Sequence, residues 1–367
     1  MNIGFDAKRL FLNHSGLGNY SRNLVSLLAK QAPSNNYLLY TPSVTAAYDQ
    51  FTHSPFKPVL PQGVLSNLLK SRWRSYGITK QIVSDNLSVY HGLSNELPYN
   101  IGGFKGKKIV TIHDLIFMRF PSYYNGFDRQ NYRKKVAAAC ANADAVISIS
   151  HQTKNDLEEF LKVDSAKIEV HGQSCQEIFW NHATQADKSI FQKLQLPNDF
   201  LLYVGTVEPR KNLLQLVQAM QTIDLPLVVV GRIKSTYGKK IKEFISAKKM
   251  ESKIIFAENV SNTQLAALYH KATCLVYPSS FEGFGLPILE AMVCECPVIT
   301  GNNSSLTEVG GNAAIYIDVD RVEEYTNAIN NVINSSEDRK KLISKGLDQV
   351  KQFTPQSWAQ KTLKTYV

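Results

Sequence analysis

The chain has 367 residues, of which 44% are hydrophobic and 20% charged, with 20 glycines and 14 prolines. This composition excludes a fibrous or intrinsically disordered protein, and the length favours two domains of ordinary size. The formal net charge is +10, and the whole excess lies in residues 1–150, which suggests an anionic partner for the front half, either nucleic acid or acidic lipid headgroups, unless the charge serves solubility alone.

The N-terminal residues and the cysteines both bear on the cellular compartment. Asp6, Lys8 and Arg9 interrupt the apolar stretch that a secretory signal needs, and the longest apolar runs are only strand-length. The five cysteines are odd in number and scattered, which favours free thiols. A metal site at Cys294 and Cys296 is a minor alternative, since no second pair or histidine accompanies them. We expect a cytoplasmic protein, attached at most to the inner face of the cytoplasmic membrane.

Short β-rich segments alternate with helical segments along the whole chain, and this order occurs twice. It predicts an α/β fold with two Rossmann-like halves, each with a parallel sheet and with binding loops at the carboxyl ends of its strands. Strands are predicted at 2–7, 36–41, 88–92, 108–114, 144–150, 167–172, 200–206, 225–231, 253–258, 273–279, 296–302 and 313–319, and helices at 19–30, 129–142, 212–221, 263–271 and 322–333.

The alternation of strands and helices breaks around residues 175–198. We therefore place a first domain at 1–175 and a second at 176–354. The segment 355–367 predicts a terminal helix with Thr354 as N-cap and Pro355 at its first position, and we expect it to pack back on the first domain.

The segment SSFEGFGLPILEAM, residues 279–292, combines a strand end, a glycine loop and a helix predicted to start at Pro287. Such a corner favours anions, because unpaired amides and the helix dipole point to the same place. Glu290, predicted in the first helical turn, can accept hydrogen bonds from vicinal hydroxyls, and Glu282 from those of a second sugar. Alternatively, Glu290 only complements the helix dipole and Glu282 is solvated.

A second strand, loop and helix occupy residues 201–220. Gly205 follows the strand, and Arg210 with Lys211 stands where the helix begins. Two fixed cations at such a corner suit a diphosphate, although a surface Arg-Lys pair is more often simply solvated.

The segments GTVEPRKNL, YPSSFEGFGLPILEAM and PVITGN together resemble the retaining glycosyltransferases of family 4. That family has the GT-B fold, in which two Rossmann-like domains face each other across a cleft. In the front half, DAKRLFLNHSGLGNYSRNL, TIHDLIFMRFP and VISISHQTKNDL are similar to segments of the mannosyltransferase-like members that extend surface polysaccharides such as lipopolysaccharide. The resemblance covers nearly the whole chain, and it implies that the first domain, 1–175, binds the acceptor and that the second, 176–354, binds the nucleotide sugar.

The resemblance implies a role for each matching residue. His113 would lie next to the reacting sugar carbon and the incoming hydroxyl, unless it is a strand-end histidine paired with Asp114, and Glu282 would hold a hydroxyl of the transferred sugar. Glu290 would hold the nucleotide ribose, and Val260 would lie beside the base. Most of the residues implied to bind the donor would contact its diphosphate, through a charged side chain or a backbone amide. The implied donor-binding residues are Gly16, Gly18, Gly205, Arg210, Lys211, Val260, Gly283, Phe284, Gly285, Leu286 and Glu290.

The implied reaction moves a sugar from a nucleotide sugar to a hydroxyl of a glycan acceptor, which we expect to be lipid-linked. GDP-mannose is the preferred donor, and UDP-sugars remain open. The donor is a substrate, so no cofactor is expected, and no bound metal either. Asp318 and Asp320 resemble the Asp-x-Asp metal clamp of another glycosyltransferase fold, but Glu323 and a helical pattern follow, which favours Asp320 as a helix cap.

The stretch LLKSRWRSYGITK, residues 68–80, mixes basic and aromatic side chains. It suits an RNA surface or a membrane face bearing a lipid-linked acceptor, and we prefer the membrane. The alternative is a half-buried helix with Trp73 in the core. Two other functions stay open: an epimerase or hydrolase of the same fold acting on nucleotide sugars, and a non-catalytic basic protein that binds nucleic acid.

Overall fold

The computed structural model describes residues 1–63, 66, 68–181 and 186–367. The chain forms two compact units. Unit 1 contains Met1–Gln173 together with Pro355–Val367, and unit 2 contains Ser174–Thr354. Residues 182–185, within the segment predicted to separate the domains, lie outside the described residues.

Unit 1 is built on a seven-stranded sheet in which every neighbouring pair is parallel. Its strand order is β3-β2-β1-β4-β5-β6-β7, so the direction of winding reverses between β1 and β4. The central strands are apolar along their length because helices cover both faces of such a sheet. The strands are β1 (Asn2–Asp6), β2 (Asn36–Tyr40), β3 (Phe56–Val59), β4 (Val89–Gly92), β5 (Lys107–Ile112), β6 (Ala145–Ser148) and β7 (Ile168–Val170).

Unit 2 contains a six-stranded parallel sheet in the order β10-β9-β8-β11-β12-β13. Its winding reverses between β8 and β11, where Leu201 pairs with Cys274. In open α/β sheets this reversal opens a crevice at the carboxyl ends of the two strands, which is where ligands bind. The strands are β8 (Leu201–Val204), β9 (Leu227–Val230), β10 (Ile254–Ala257), β11 (Cys274–Tyr277), β12 (Val298–Gly301) and β13 (Ala314–Ile317).

The helices follow the predicted order, with differences at their ends. The helix predicted at 19–30 begins at Gly16, and Arg321, not Asp320, is the N-cap of the helix predicted at 322–333, so the capping role given to Asp320 is wrong. The α-helices are Lys8–Leu12, Gly16–Gln31, Lys70–Arg72, Ile78–Ser84, Ile116–Arg119, Gly126–Asn142, His151–Leu161, Glu177–Trp180, Ser189–Lys193, Leu213–Ala219, Thr236–Ala247, Asn262–Lys271, Leu286–Val293, Leu306–Gly310, Val322–Asn334, Ser336–Gln349 and Pro355–Tyr366.

The helix Pro355–Tyr366 is fastened within unit 1 by a buried polar network. The Tyr366 hydroxyl lies 2.7 Å from His91 Nδ1, and His91 Nε2 lies 2.8 Å from the Thr111 hydroxyl. The Trp358 ring contacts the Tyr20 ring edge-on, with 5.2 Å between centroids. The end of the chain therefore completes the core that its first residues begin.

The basic and aromatic stretch 68–80 is folded differently from a solvated membrane-binding helix. Trp73 is buried in the core of unit 1, and its indole N–H donates to Gln81 at 2.6 Å. Arg74 is half-buried and is paired with Asp6 and Glu96, so it does not serve as one of the membrane-facing cations that the basic stretch predicts. Lys70, Arg72 and Lys80 are exposed. The alternative with Trp73 in the core is the one observed.

Candidate active site

The loops that follow β8 and β11 bring together three charged side chains predicted from the sequence. Arg210 and Lys211 follow β8, and Glu282 follows β11, so they share the crevice where the winding of the sheet reverses. Arg210 Nη1 lies 2.9 Å from Glu282 Oε1, and Lys211 Nζ lies 3.2 Å from the same oxygen. We call these three residues the charged cluster.

Arg210 is held at several points and is almost fully buried. Its guanidinium donates to the Ser279 hydroxyl at 3.2 Å and to the carbonyl oxygen of Phe281, and it lies 3.5 Å from the Glu208 carboxylate. Burial alone would lower the pKa of Arg210, but the Glu282 and Glu208 carboxylates raise it. This cation is therefore fixed in position and permanently charged, and a solvated surface pair is not what the structure shows.

Glu282 is ionised and oriented by its neighbours. Its side chain is only 14% exposed, and it accepts a hydrogen bond of 2.7 Å from the Tyr277 hydroxyl. Burial would raise the pKa of this carboxyl, but the cations of Lys211 and Arg210 lower it to about 2. The alternative of a solvated Glu282 is wrong. The carboxylate pairs with the two cations, and its remaining lone pairs can accept hydrogen bonds from hydroxyls.

The backbone around the charged cluster explains two residue choices. Asn212 has the left-handed conformation with φ +49°, and its side-chain amide donates to the Pro278 carbonyl at 3.0 Å and to the Ser280 hydroxyl at 2.7 Å, which ties the two loops together. Gly205 has φ +150°, and a Cβ there would lie 3.0 Å from Lys211 Nζ. A larger residue at 205 would displace the lysine that the cluster needs.

The glycine loop between Glu282 and the next helix presents three backbone donors. Gly285 has φ +116° and is the N-cap of the helix Leu286–Val293. Within the described part of the chain, none of the amides of Gly283, Phe284 and Gly285 donates a hydrogen bond to a protein acceptor. Successive free amides beside a helix N-terminus form a site for an anion. Pro287 occupies the second helical position, not the first as predicted.

Glu290 lies farther along the same helix than predicted. It is the fifth residue of Leu286–Val293, beyond the first turn, so complementing the helix dipole does not explain it. The Tyr269 hydroxyl donates to its Oε2 at 3.0 Å. Burial raises the pKa of Glu290 to about 7, in contrast to the lowered pKa of Glu282. Glu282 is thus fully ionised at neutral pH, whereas Glu290 is present in both its ionised and its protonated form.

Two further predicted residues of unit 2, Val260 and Leu286, lie on other segments. Val260 is half-buried in the loop between β10 and the helix Asn262–Lys271. Leu286 opens the helix that the glycine loop precedes. The structure therefore joins Gly205, Arg210, Lys211 and Glu282 directly, and it places Glu290 and Val260 on separate segments of the same unit.

His113, Gly16 and Gly18 belong to unit 1. His113 is buried, and its Nε2 lies 2.9 Å from the Leu93 carbonyl oxygen, so that nitrogen carries the proton and Nδ1 has the lone pair. Burial lowers the pKa of His113 to about 4, which leaves the ring neutral at physiological pH. The ring also meets Tyr20 edge-on, with 4.5 Å between centroids.

The two glycines after β1 lie in the first turn of the helix Gly16–Gln31 rather than in a loop. Asn13 Oδ1 accepts the Gly18 amide at 3.1 Å, which already satisfies one of the donors predicted for phosphate. A Cβ at Gly18 would lie 1.9 Å from the Asn13 carbonyl oxygen, whereas a Cβ at Gly16 would meet nothing within 4 Å. Close packing is therefore a sufficient reason for glycine at 18.

Several residues that organise the site were not predicted. Tyr277 and Tyr269 each donate a hydrogen bond to one of the two acids, and Asn212 joins the loops. Ser304 Oγ accepts the Glu282 amide at 3.2 Å, and Ser305 donates to the carbonyl oxygens of Glu282 and Phe284. The signal for the serines is the polar run that follows β12, at the same edge of the sheet.

Three further features bear on the chemistry. Within the described ranges, no group of three or more His, Cys, Asp or Glu side chains is arranged to hold a metal ion. All five cysteines are buried free thiols. None of the helices in the described part of the chain combines the length and the apolar character that crossing a bilayer requires.

Comparison with known proteins places these features in a family. The family model "Glycosyl transferases group 1" matches residues 186–349, and "Glycosyltransferase Family 4" matches residues 14–171. The O-antigen chain mannosyltransferase B of Escherichia coli is 29% identical over 286 residues, which cover 76% of this chain and 74% of that one.

Solved structures show the same fold. Sucrose-phosphate synthase from Thermosynechococcus elongatus aligns with a TM-score of 0.81 and 21% identity, covering all of this chain and 98% of that one. Anabaena HepE in complex with UDP-glucose aligns with a TM-score of 0.76 and 16% identity, covering all of this chain and 99% of that one. With two α/β units on parallel sheets, and with family models that match most of its length, the chain belongs to the group 1, family 4 glycosyltransferases and has their GT-B fold.

Proposed function

We propose that this glycosyltransferase moves a mannosyl residue from a nucleotide sugar to a hydroxyl of a lipid-linked glycan during the synthesis of a surface polysaccharide. The observation that carries the proposal is the charged cluster of Arg210, Lys211 and Glu282 beside the unpaired amides of the glycine loop. Fixed cations and amides suit a diphosphate, and the neighbouring acid suits sugar hydroxyls.

Catalysis follows from the charge that develops on the leaving group. The bond between the sugar carbon and the diphosphate oxygen breaks, a bond to the acceptor oxygen forms on the same face, and the acceptor proton passes to the departing phosphate. Arg210, Lys211 and the free amides are fixed before the reaction, so they stabilise the growing negative charge without reorganising. We infer that the anomeric configuration is retained and that the reaction does not require a divalent metal.

His113 of unit 1 and Glu290 of unit 2 have different proposed roles. The neutral His113 would accept a hydroxyl hydrogen at Nδ1, because its Nε2–H already donates to Leu93. Glu290, held by Tyr269, would accept from the vicinal hydroxyls of the ribose. Val260, Gly16 and Gly205 would provide backbone or apolar contacts to the donor, and the exposed cations Lys70, Arg72 and Lys80 would attract an anionic membrane face.

The choice of donor rests on the relatives. The E. coli relative is described as an O-antigen chain mannosyltransferase, which favours GDP-mannose, and the HepE structure contains UDP-glucose, which keeps UDP-sugars open. Thermal unfolding with a panel of GDP- and UDP-sugars tests this choice, since a saturating ligand raises the melting temperature. We expect the largest shift with GDP-mannose.

Product analysis tests the reaction itself. Incubation of the enzyme with GDP-mannose and a lipid-linked glycan, in the presence of EDTA, should extend the glycan by an α-linked mannose. Free mannose without glycan extension would instead indicate a hydrolase, and interconversion of the nucleotide sugar would indicate an epimerase.

A further inference from the structure

The loop that follows β12 contacts the glycine loop from the neighbouring strand. β12 ends at Gly301 beside β11, so residues 302–305 lie at the same edge of the sheet as the charged cluster. Ser305 is fully buried in this loop. Its hydroxyl lies 2.8 Å from the Glu282 carbonyl oxygen and 2.8 Å from the Phe284 carbonyl oxygen. One side chain therefore holds two carbonyls of the glycine loop.

The geometry of the peptide unit turns these two contacts into a direction for two amides. In a planar trans peptide, the carbonyl of one residue and the N–H of the next residue point in opposite directions. The peptide bonds that follow Glu282 and Phe284 are both trans. Because both carbonyls point to Ser305 Oγ, the amides of Gly283 and Gly285 point away from it.

The peptide unit before this pair obeys the same rule with both of its groups bonded. The Phe281 carbonyl accepts from the Arg210 guanidinium, and the Glu282 amide of the same peptide donates to Ser304 Oγ at 3.2 Å. The amide of Gly283 differs, since it donates to no protein acceptor within the described ranges. The glycine loop is thus anchored through its carbonyls and keeps its N–H donors for a ligand.

The Ser305 hydroxyl is diverted from the role that its position in the chain favours. Ser305 is the N-cap of the helix Leu306–Gly310, where a serine side chain ordinarily accepts an amide of the first turn. Among the described residues, it accepts no such amide. Ser304 has the left-handed conformation with φ +51°, which is uncommon for a residue other than glycine. The backbone of this loop therefore directs both serine side chains to the glycine loop.

Gly285 makes the direction of its amide consequential. The residue is buried, and a buried backbone N–H without a partner is rare in folded proteins because it costs the energy of a lost hydrogen bond. A ligand that accepts from this amide would remove the cost. The cations Arg210 and Lys211 belong to the same crevice, so an anion is the ligand that both features favour.

We propose that Ser305 is a positioning residue, which holds the carbonyls of Glu282 and Phe284 and thereby aims the amides of Gly283 and Gly285 at the donor diphosphate. This inference rests on the proposed function, in which these amides stabilise the leaving group. A serine hydroxyl has a single hydrogen, which the two carbonyls share, so its removal releases both peptide units together.

Steady-state kinetics of the full chain test the role of Ser305. Ser305→Ala should reduce kcat/KM for the nucleotide sugar about tenfold or more and leave the acceptor KM unchanged, and Ser305→Thr should restore much of the rate because it keeps the hydroxyl. Tyr325→Phe is the matched control, since it also removes a buried hydroxyl of unit 2 that donates to a main-chain carbonyl, that of Val319 at 2.7 Å.

Two kinetic outcomes overturn the assignment: equal rates in the wild type and Ser305→Ala, or equal losses in Ser305→Ala and Tyr325→Phe. If Ser305→Ala fails to fold, as judged by circular dichroism, Ser305→Cys takes its place. A thiol is a weak hydrogen-bond donor, so this variant should lose the same rate while it fills the same space.

Calorimetry without acceptor separates the role of Ser305 from the proposed reaction. The ligands are pyrophosphate, GDP and UDP. The affinity for each ligand that the wild type binds should fall about tenfold or more in Ser305→Ala and stay unchanged in Tyr325→Phe. The loss should be the same for pyrophosphate as for a nucleotide, because the two amides contact phosphate alone.

The outcomes of this measurement distinguish the two proposals. Unchanged affinities in Ser305→Ala, or a loss confined to the nucleotides, overturn the role of Ser305 and leave the proposed function in place. If diphosphate binding depends on Ser305 but the wild type transfers no sugar, the proposed reaction fails and the role of Ser305 remains. A wild type that binds none of the three ligands overturns both.

Discussion

Arg210 Nη1 lies 2.9 Å from Glu282 Oε1, so the cation proposed to bind phosphate is paired with the acid proposed to bind sugar. Lys211 shares the same oxygen at 3.2 Å. A buried charge without a partner is costly, and this mutual pairing allows the unit to fold with the three side chains already in place. A donor would therefore bind a preorganised cluster rather than assemble one.

Removal of either cation of this cluster should impair transfer. We expect Arg210→Ala and Lys211→Ala each to reduce kcat/KM for the nucleotide sugar at least about tenfold, because each removes a donor that stabilises the leaving diphosphate. Each variant leaves one cation beside Glu282, so the fold should persist, as circular dichroism would show. Arg321→Ala is the control, since Arg321 is an exposed cation of the same unit. Near-normal rates in both cluster variants would remove the diphosphate assignment.

Replacement of His113 should separate donor binding from transfer. We expect His113→Ala to bind the nucleotide sugar normally in calorimetry and to lose transfer by about a hundredfold or more, because a positioned hydroxyl acceptor is missing. His53→Ala provides the comparison, since the His53 side chain is exposed. Unchanged transfer by His113→Ala would exclude the histidine from the reaction.

Donor affinity should depend on pH through Glu290. Burial raises the pKa of Glu290 to about 7, so its ionised form, which accepts hydroxyl hydrogen bonds best, increases as the pH rises. Between pH 6 and pH 8 we expect the Kd of the nucleotide sugar to fall by up to about tenfold. The measurement is calorimetry across this range, and Glu290→Gln should bind more weakly with a flat profile. A wild-type profile equally flat would contradict the ribose role.

The raised pKa of Glu290 affects the stability of the fold in the direction opposite to its effect on donor affinity. A carboxyl whose pKa is raised on folding favours the folded state below its unfolded pKa, near 4.5, and that contribution is lost as the pH rises through about 7. Donor binding and stability should thus respond to Glu290 in opposite directions over this range.

Unit 1 should lose stability in mild acid. Burial lowers the pKa of His91 to about 3 and that of His113 to about 4, and it also lowers the pKa of His171. Below about pH 6.5 the unfolded chain takes up protons that the folded chain excludes, so the free energy of unfolding should fall by about 1.4 kcal/mol per pH unit for each of His91 and His113 down to about pH 4, and His171 should add to this loss. Urea unfolding at several pH values measures this slope, which His113→Asn should reduce.

The two glycines at the start of Gly16–Gln31 should respond differently to alanine. At Gly18 a Cβ would meet the Asn13 carbonyl oxygen at 1.9 Å, so we expect Gly18→Ala to lower the free energy of unfolding by about 1–3 kcal/mol. Gly16→Ala, with open space around its Cβ, should be neutral or slightly stabilising, because alanine favours a helix. Equal losses in thermal unfolding would show that the Asn13 contact is not the cause.

The fold could be predicted from the sequence because each central strand is a short apolar run that ends in a polar or glycine residue. β3, Phe56–Val59, was missed because it contains Lys57 and Pro58. Proline is tolerated in a sheet only at an edge, and β3 lies at the edge of its sheet. The start of the helix Gly16–Gln31 was displaced by three residues, since Asn13, which accepts the Gly18 amide, lies outside the helix.

The charged cluster was only partly predictable. Residue types and loop positions indicate that Arg210, Lys211 and Glu282 lie at one edge of the sheet, but their pairing depends on the register of β8 against β11, where Leu201 opposes Cys274. Likewise, the sequence shows Arg74 only as one of several basic residues in the stretch 68–80. Only the π-helical turn Trp73–Gly77 determines that it points to Asp6 instead of to solvent.

The return of Pro355–Tyr366 to unit 1 has a consequence for biosynthesis. Unit 1 is translated in two parts, Met1–Gln173 and Pro355–Val367, and unit 2 is translated between them. Tyr366 therefore cannot contact His91 until the whole of unit 2 has been translated. Domains generally fold as they emerge, with the first one leading. In this chain the earlier unit can complete its core only after the helix that follows unit 2 has been made, so the last folding step of unit 1 depends on the synthesis of unit 2.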